Sequence, residues 1–154
     1  MSSELIINSS RDKSRIGLLK DKKLVEFHQE SDETKFNVGD IYVGKVKKIN
    51  KSLNAAFVDI GFEKDAFLHY IDLGHQFLSL KTFVKKLIAK GKTSSYDSFP
   101  KLDDINKFGK INEVLTKGDE LLIQIVKEPI STKGPRVTTE LSLAGRYLIL
   151  VSFS

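Results

Sequence analysis

Residues Leu53–His69 read LNAAFVDIGFEKDAFLH, and this stretch decides the fold. Two short runs with period-two alternation, Ala55–Ile60 and Ala66–His69, flank a turn centred on Gly61–Asp65, the pattern of a β-hairpin. Successive side chains on a strand point to opposite faces, so Ala56, Val58 and Ile60 share one face with Ala66 and Leu68. That face is the expected core. Phe57, Phe67 and His69 fall together on the other. Rings on the wet face of a sheet are costly unless something covers them, and an unpaired nucleobase offers a π-face that does. The competing reading is a loop or helix of the same chain lying over the rings. The hairpin by itself favours neither.

Working outward, residues 4–8, 16–19 and 23–28 have strand character, the last two joined by a turn at Lys20–Lys22. The polar run Gln29–Lys35 is expected to be a linker, and Asp40–Asn50 (DIYVGKVKKIN) a further strand. Beyond the hairpin comes a long excursion. Within it, apolar residues at 77, 80, 84 and 87, with 83 and 88 alongside, predict a helix over Phe77–Lys90 that Gly91 stops. Their apolar stripe is expected to be a core face. Gly91–Lys110 is expected to be a mobile loop and Ile111–Leu115 one helical turn. Glu120–Lys127 (ELLIQIVK) and Arg136–Leu143 (RVTTELSL) are the last two core strands, joined by the turn Glu128–Pro135. Five short strands, a helix and long connections predict a mainly β protein, a five-stranded Greek-key barrel of the oligonucleotide-binding (OB) type. Such barrels bind ligand on the face of strands two and three, where the exposed aromatics sit.

The 154 residues are 40% hydrophobic and 29% charged, the profile of one globular domain with an appendage. No apolar run approaches a membrane span, and MSSELIINSS lacks the basic start and apolar stretch of a signal peptide. No membrane partner is expected, and the absence of cysteine is compatible with a reducing cytoplasm. The net charge of +5 is unevenly spread. Val43–Lys51 carries Lys45, Lys47, Lys48 and Lys51 with no acid, and Lys81–Lys117 holds nine lysines against four acids. Such patches track a polyanion or form a solvated face.

Several segments together resemble a known family. VGDIYVGKVKKIN, AAFVDIG, AFLH, KGDELLIQIVKE and VTTELSL resemble the S-one domain, the RNA-binding OB module of small-subunit ribosomal protein S-one. ELIIN, SLNAAFVDIGFEKDAFLHYID and STKGPRVTTELSLAGRYLIL are similar to the N-terminal part of the ribonuclease E/G family of bacterial endoribonucleases. SLAGRYL is the most specific piece, and the likeness is weakest between Lys81 and Lys110. The resemblance implies that Phe57, Phe67 and Lys133, the lysine of the KG turn, contact RNA, and that His69 is the histidine of the FLH motif. Lys45 and Lys47 are the candidate backbone contacts of the first basic run. An aromatic found earlier in many S-one motifs is absent, its region reading SLNAAF with Leu53 nearby. By the same resemblance, residues 37–144 are the S-one domain with a variable insertion at about 72–115. Residues 1–36 would then be strands of a ribonuclease-H-like subdomain, and 145–154 the start of the next segment of the parent protein. The chain is thus expected to be a piece of a longer protein.

No catalytic constellation is expected here. The family uses magnesium held by aspartates of a later subdomain, and this chain is expected to need no cofactor and not to cleave RNA alone. Asp103–Asp104 are adjacent on a loop, and His28, His69 and His75 lack metal-ligand spacing. Two functions remain in play: a single-stranded-RNA-binding module, and a protein-interaction or homodimerisation module with the phenylalanines in the seam.

Overall fold

The computed structural model describes residues 2–10, 13–31, 36–90 and 101–151. The chain divides into two compact units, 1–35 and 36–154.

The first unit is an antiparallel sheet of β1 (Ser3–Ser9), β2 (Lys13–Lys20) and β3 (Lys23–Ser31), in the order β1-β2-β3. Asp21 and Lys22 close the β2–β3 hairpin with φ of 48° and 65°. Two left-handed residues are what a tight two-residue hairpin turn needs, because its twist then matches that of the strands. β3 runs further than the sequence suggests. Gln29, Glu30 and Ser31 pair with Arg15, Ser14 and Lys13, so the expected linker begins as strand. The rest of that linker, 32–35, lies outside the described residues.

The second unit is a closed five-stranded barrel, of OB type. Its strands are β4 (Ile41–Asn50), β5 (Ala55–Asp59), β6 (Ala66–His69), β7 (Glu120–Lys127) and β8 (Arg136–Thr138), in the order β4-β5-β6-β8-β7 with β7 returning to β4. All neighbours are antiparallel except β6 and β8. The alternation expected of Leu53–His69 holds: Ala56, Val58, Ile60, Ala66 and Leu68 are buried. Val46, Leu121, Ile123, Ile125 and Val137 join them from the other strands. Each fully buried aliphatic side chain contributes about 1.5–3 kcal/mol. Ala55 also is buried, although its parity is that of Phe57.

Helix α1 (Phe77–Lys90) packs against β7, with Phe77, Leu80 and Val84 buried and Phe83 and Leu87 half-buried. The expected stop at Gly91 lies outside the described residues, as does the first half of the expected loop, 91–100. Residues 101–110 are irregular but pinned: the Ile105 N–H donates to the His75 carbonyl at 3.0 Å and the Tyr70 hydroxyl to the Asn106 carbonyl at 2.5 Å. Asn54, at φ 47°, ties this segment to the β4–β5 turn. Its side-chain amide donates to the Gly109 carbonyl and its oxygen accepts from Ile111 N–H at 2.7 Å, opening the short helix α2 (Ile111–Val114). The expected last strand is broken. β8 ends at Thr138, β9 (Ser142–Ala144) begins four residues on, and β9 pairs with β10 (Ile149–Val151) instead of the barrel. Between them the backbone finds other partners. The Thr139 N–H donates to the Asp72 carbonyl, the Glu140 N–H to the Thr138 hydroxyl, and the Ser142 N–H to Gln124 Oε1.

One ion pair fastens α1 to the barrel. Lys81 Nζ lies 2.6 Å from Asp119 Oδ2, which also accepts from the N–H and hydroxyl of Thr116. Burial pushes the Asp119 carboxyl up, but the Lys81 ammonium and the Thr116 donors outweigh it and hold the group below its ordinary value. A depressed carboxylate stabilises the fold fully above its unfolded pKa, about 3.9. That stability is lost as pH falls through the lower folded value. Asp119→Asn should therefore lower stability by about 1 kcal/mol at neutral pH, discounting for solvent access. It should also flatten the acid limb of a denaturation series from pH 6 down to pH 2. An unchanged acid limb would show that the pair contributes nothing to folding.

Candidate nucleic-acid interface

The hairpin register sets Phe57 directly opposite Phe67 on the outer face of β5 and β6. Their ring centroids are 5.9 Å apart with planes at 68°, an edge-to-face pair. Each ring is half-buried. They lie in a groove of about 770 Å³ whose walls include Lys64, Lys127, Lys133 and Arg136. Ile130, Thr132, Lys133 and Gly134 of the turn between β7 and β8 form part of its wall.

The register carries the row further. Lys48 on β4 stands opposite Phe57, Arg136 on β8 opposite Phe67, and Lys127 on β7 opposite Arg136. Directly opposed residues share a face, with Cβ atoms about 4.5–5.5 Å apart. Two phenylalanines are thus bracketed by cations along one line across the strands. Arg136 is held in place: its Nε and Nη2 each donate at 3.0 Å to the Asp72 carboxylate, which holds the guanidinium firmly charged. Among the described residues, no carboxylate lies within ion-pair distance of Lys48, Lys64, Lys127 or Lys133.

The sequence-predicted residues separate into three groups. Phe57, Phe67 and Lys133 converge on the groove. His69 borders it, its ring 6.4 Å from that of Phe67. Its Nδ1 accepts from the Ile71 N–H at 3.1 Å, capping the short 3-10 turn Tyr70–Asp72, so the imidazole is first a structural cap. Lys45 and Lys47 do not reach the groove. Lys45 stands opposite Asp59 and Glu120. Lys47 pairs with Asp65 at 2.8 Å and Asp59 at 3.5 Å, and its hydrogen bond to Asp65 raises its pKa. Lys48, Lys127 and Arg136 are not distinguishable in the sequence because only the register sets them beside the rings, and Lys64 because only the folded β5–β6 turn brings it to the groove.

No family model matches the chain. Curated relatives do. Ribonuclease G of Salmonella typhimurium (strain SL1344) is 31% identical over 151 residues, 98% of this chain and 27% of the relative. This stretch is homologous to the ribonuclease E/G proteins. Ribonuclease E of Buchnera aphidicola subsp. Schizaphis graminum is 32% identical over 148 residues, 96% of this chain and 13% of its own length. A ribonuclease E/G-like protein of Porphyra purpurea is 36% identical over 120 residues, 77% of this chain and 18% of its own. The chain spans about a quarter of the length of the ribonuclease G relatives it matches. Among the described residues, no three His, Asp or Glu side chains are grouped to hold a metal ion, and no helix is long and apolar enough to cross a membrane.

Proposed function

We propose that this chain is the single-stranded-RNA-binding part of a ribonuclease E/G-type endoribonuclease acting in cytoplasmic RNA processing and decay. Residues 37–144 form its S-one module, with the insertion at about 72–115, and residues 1–36 and 145–154 belong to a neighbouring subdomain. The observation that carries this reading is the Phe57–Phe67 pair in a groove that Lys64, Lys127 and Lys133 line beside Asp65 and Glu128, with no carboxylate within ion-pair distance of those three lysines among the described residues. A single strand offers base faces to the rings and phosphates to the ammonium groups. Held RNA is cut elsewhere in the parent enzyme, where the family's magnesium is bound; the task of this stretch is to hold.

Lys133 tests the electrostatic half. Its flexible stem and point charge suit a phosphate better than a base edge. Lys133→Ala should weaken all RNA sequences about equally and lower the slope of log affinity against log salt by roughly 0.7, the single-strand value per phosphate contact. Titration of a short labelled RNA at several salt concentrations, beside sedimentation, measures it. An unchanged slope would move the phosphate contact off this turn. Salt-insensitive self-association through the rings would favour a dimer seam instead.

A further inference from the structure

The β7–β8 turn carries a side chain that aromatic stacking and lysine charge leave unexplained. Ile130 is 70% exposed on this turn, where a solvated turn ordinarily carries a polar residue. Its backbone pairs with Lys133 in both directions, Ile130 N–H to the Lys133 carbonyl at 3.2 Å and Lys133 N–H to the Ile130 carbonyl at 3.0 Å. Antiparallel partners of this kind put their side chains on one face. The turn therefore presents an aliphatic group and an ammonium group side by side, and both line the groove that holds Phe57 and Phe67. Leu53, 50% exposed, enters the same groove from the β4–β5 turn. The β7–β8 turn is also held in position. A Cβ on Gly134 would sit 2.1 Å from the Asp65 carbonyl oxygen, so the backbones of the two turns are in direct contact.

Resting on the RNA-binding reading above, we propose that Ile130 is an apolar clamp. Its side chain covers the face of a nucleobase lying against the phenylalanine pair, while Lys133 takes a phosphate of the same strand. The two chemistries of the turn match the two chemistries of a nucleotide, an apolar ring face and an anion. A base stacked only on phenylalanine leaves one face wet, whereas a base between phenylalanine and isoleucine loses water from both. The clamp contacts the ring face and no hydrogen-bonding edge, so it serves every base alike.

Ile130→Thr keeps the branched shape and introduces a hydroxyl where the base would lie. Binding is measured with a labelled uridine oligomer of about ten nucleotides, within the range one OB barrel covers. A matched abasic oligomer serves as the second probe. Ile130→Thr should weaken binding to the uridine oligomer about fivefold with the salt slope unchanged, as expected for partial loss of one apolar contact. Ile130→Val should stay within about twofold of wild type. On the abasic oligomer, Ile130→Thr and wild type should bind equally, and the exposed position should leave the melting midpoint unaltered. Unchanged affinity for the uridine oligomer overturns the clamp, as does an equal loss on the abasic probe. A loss accompanied by a lower salt slope overturns it too, since that would trace to a displaced Lys133. If wild type binds no RNA, or Phe57→Ala and Phe67→Ala bind as wild type, the RNA-binding reading fails and the clamp with it. If those two lose affinity while Ile130→Thr does not, the clamp alone fails.

Discussion

Alanine at Phe57 or at Phe67 will weaken binding of single-stranded RNA by about 1–3 kcal/mol, the loss per stacked base, or roughly 5- to 150-fold. The cost to folding is smaller. Both rings are half-buried, and the core beneath them is made by Ala56, Val58, Ala66 and Leu68, which neither substitution touches. What each variant loses from the fold is the half-burial of one ring and the edge-to-face contact at 5.9 Å, the contact itself worth about 0.5–1.5 kcal/mol. Binding and stability should therefore part company: affinity falls steeply while the denaturation midpoint moves little. Because the rings touch, the double variant should lose less than the sum of the two single losses. Isothermal titration or anisotropy beside urea denaturation decides the matter. Variants whose binding merely tracks a shrinking folded fraction would make the rings part of the core.

The barrel was legible because its strands bury one face each. A period-two pattern such as Ala56, Val58, Ile60 cannot be read in another register without exposing the whole set, so the inside of β5 and β6 could be read from sequence alone. The same logic placed Phe57 and Phe67 outside. The lysines resisted that logic for an identifiable reason. β4 shifts register between Val46 and Lys48, so Lys47 and Lys48 both turn outward, and it is Lys48 that faces Phe57. A bulge leaves no mark in the spacing of apolar residues. Lys47 is then neutralised by Asp59 and Asp65, partners brought to it by the far end of the neighbouring hairpin. Counting charge along Val43–Lys51 could not distinguish a paired lysine from an available one.

The break after β8 was invisible for a related reason. RVTTELSL carries a strand's alternation throughout, but Asp72 on the 3-10 turn captures Arg136 with its carboxylate and Thr138 and Thr139 with its carbonyl. Sixty-odd residues separate these partners in the chain, beyond the reach of any local pattern. Thr138 satisfies its hydroxyl there at 2.7 Å, and the ladder to β7 ends. The outcome matters for the groove, since the bond to Asp72 is what holds the Arg136 guanidinium beside Phe67.

Gly134→Ala will destabilise the barrel by about 1–3 kcal/mol and weaken RNA binding as well, two effects from one methyl group. Gly134 needs no unusual dihedral; what it lacks is room. An added Cβ would meet the Asp65 carbonyl oxygen at 2.1 Å, the Asp65 carbonyl carbon at 2.8 Å and the Lys64 carbonyl oxygen at 3.1 Å, all of them backbone. Backbone cannot rotate away as a long side chain can, so either the β5–β6 turn or the Lys133 turn must retreat. Immediately beyond, the Phe67 N–H donates to the Pro135 carbonyl at 2.8 Å, part of the parallel contact between β6 and β8 that helps to close the barrel. A retreat at Gly134 strains that bond and carries Lys133 and Ile130 away from the phenylalanines. The informative control is Gly61→Ala. Gly61 has φ of +82° with open space around its would-be Cβ. That change should cost about 1–2 kcal/mol through backbone conformation alone and leave RNA affinity of the folded protein intact. Urea denaturation gives the stabilities and titration of folded protein gives the affinities. If Gly134→Ala is as stable as wild type, the two turns are not in the contact described. If it is destabilised yet binds RNA as wild type does, the positions of Lys133 and Ile130 do not depend on that contact.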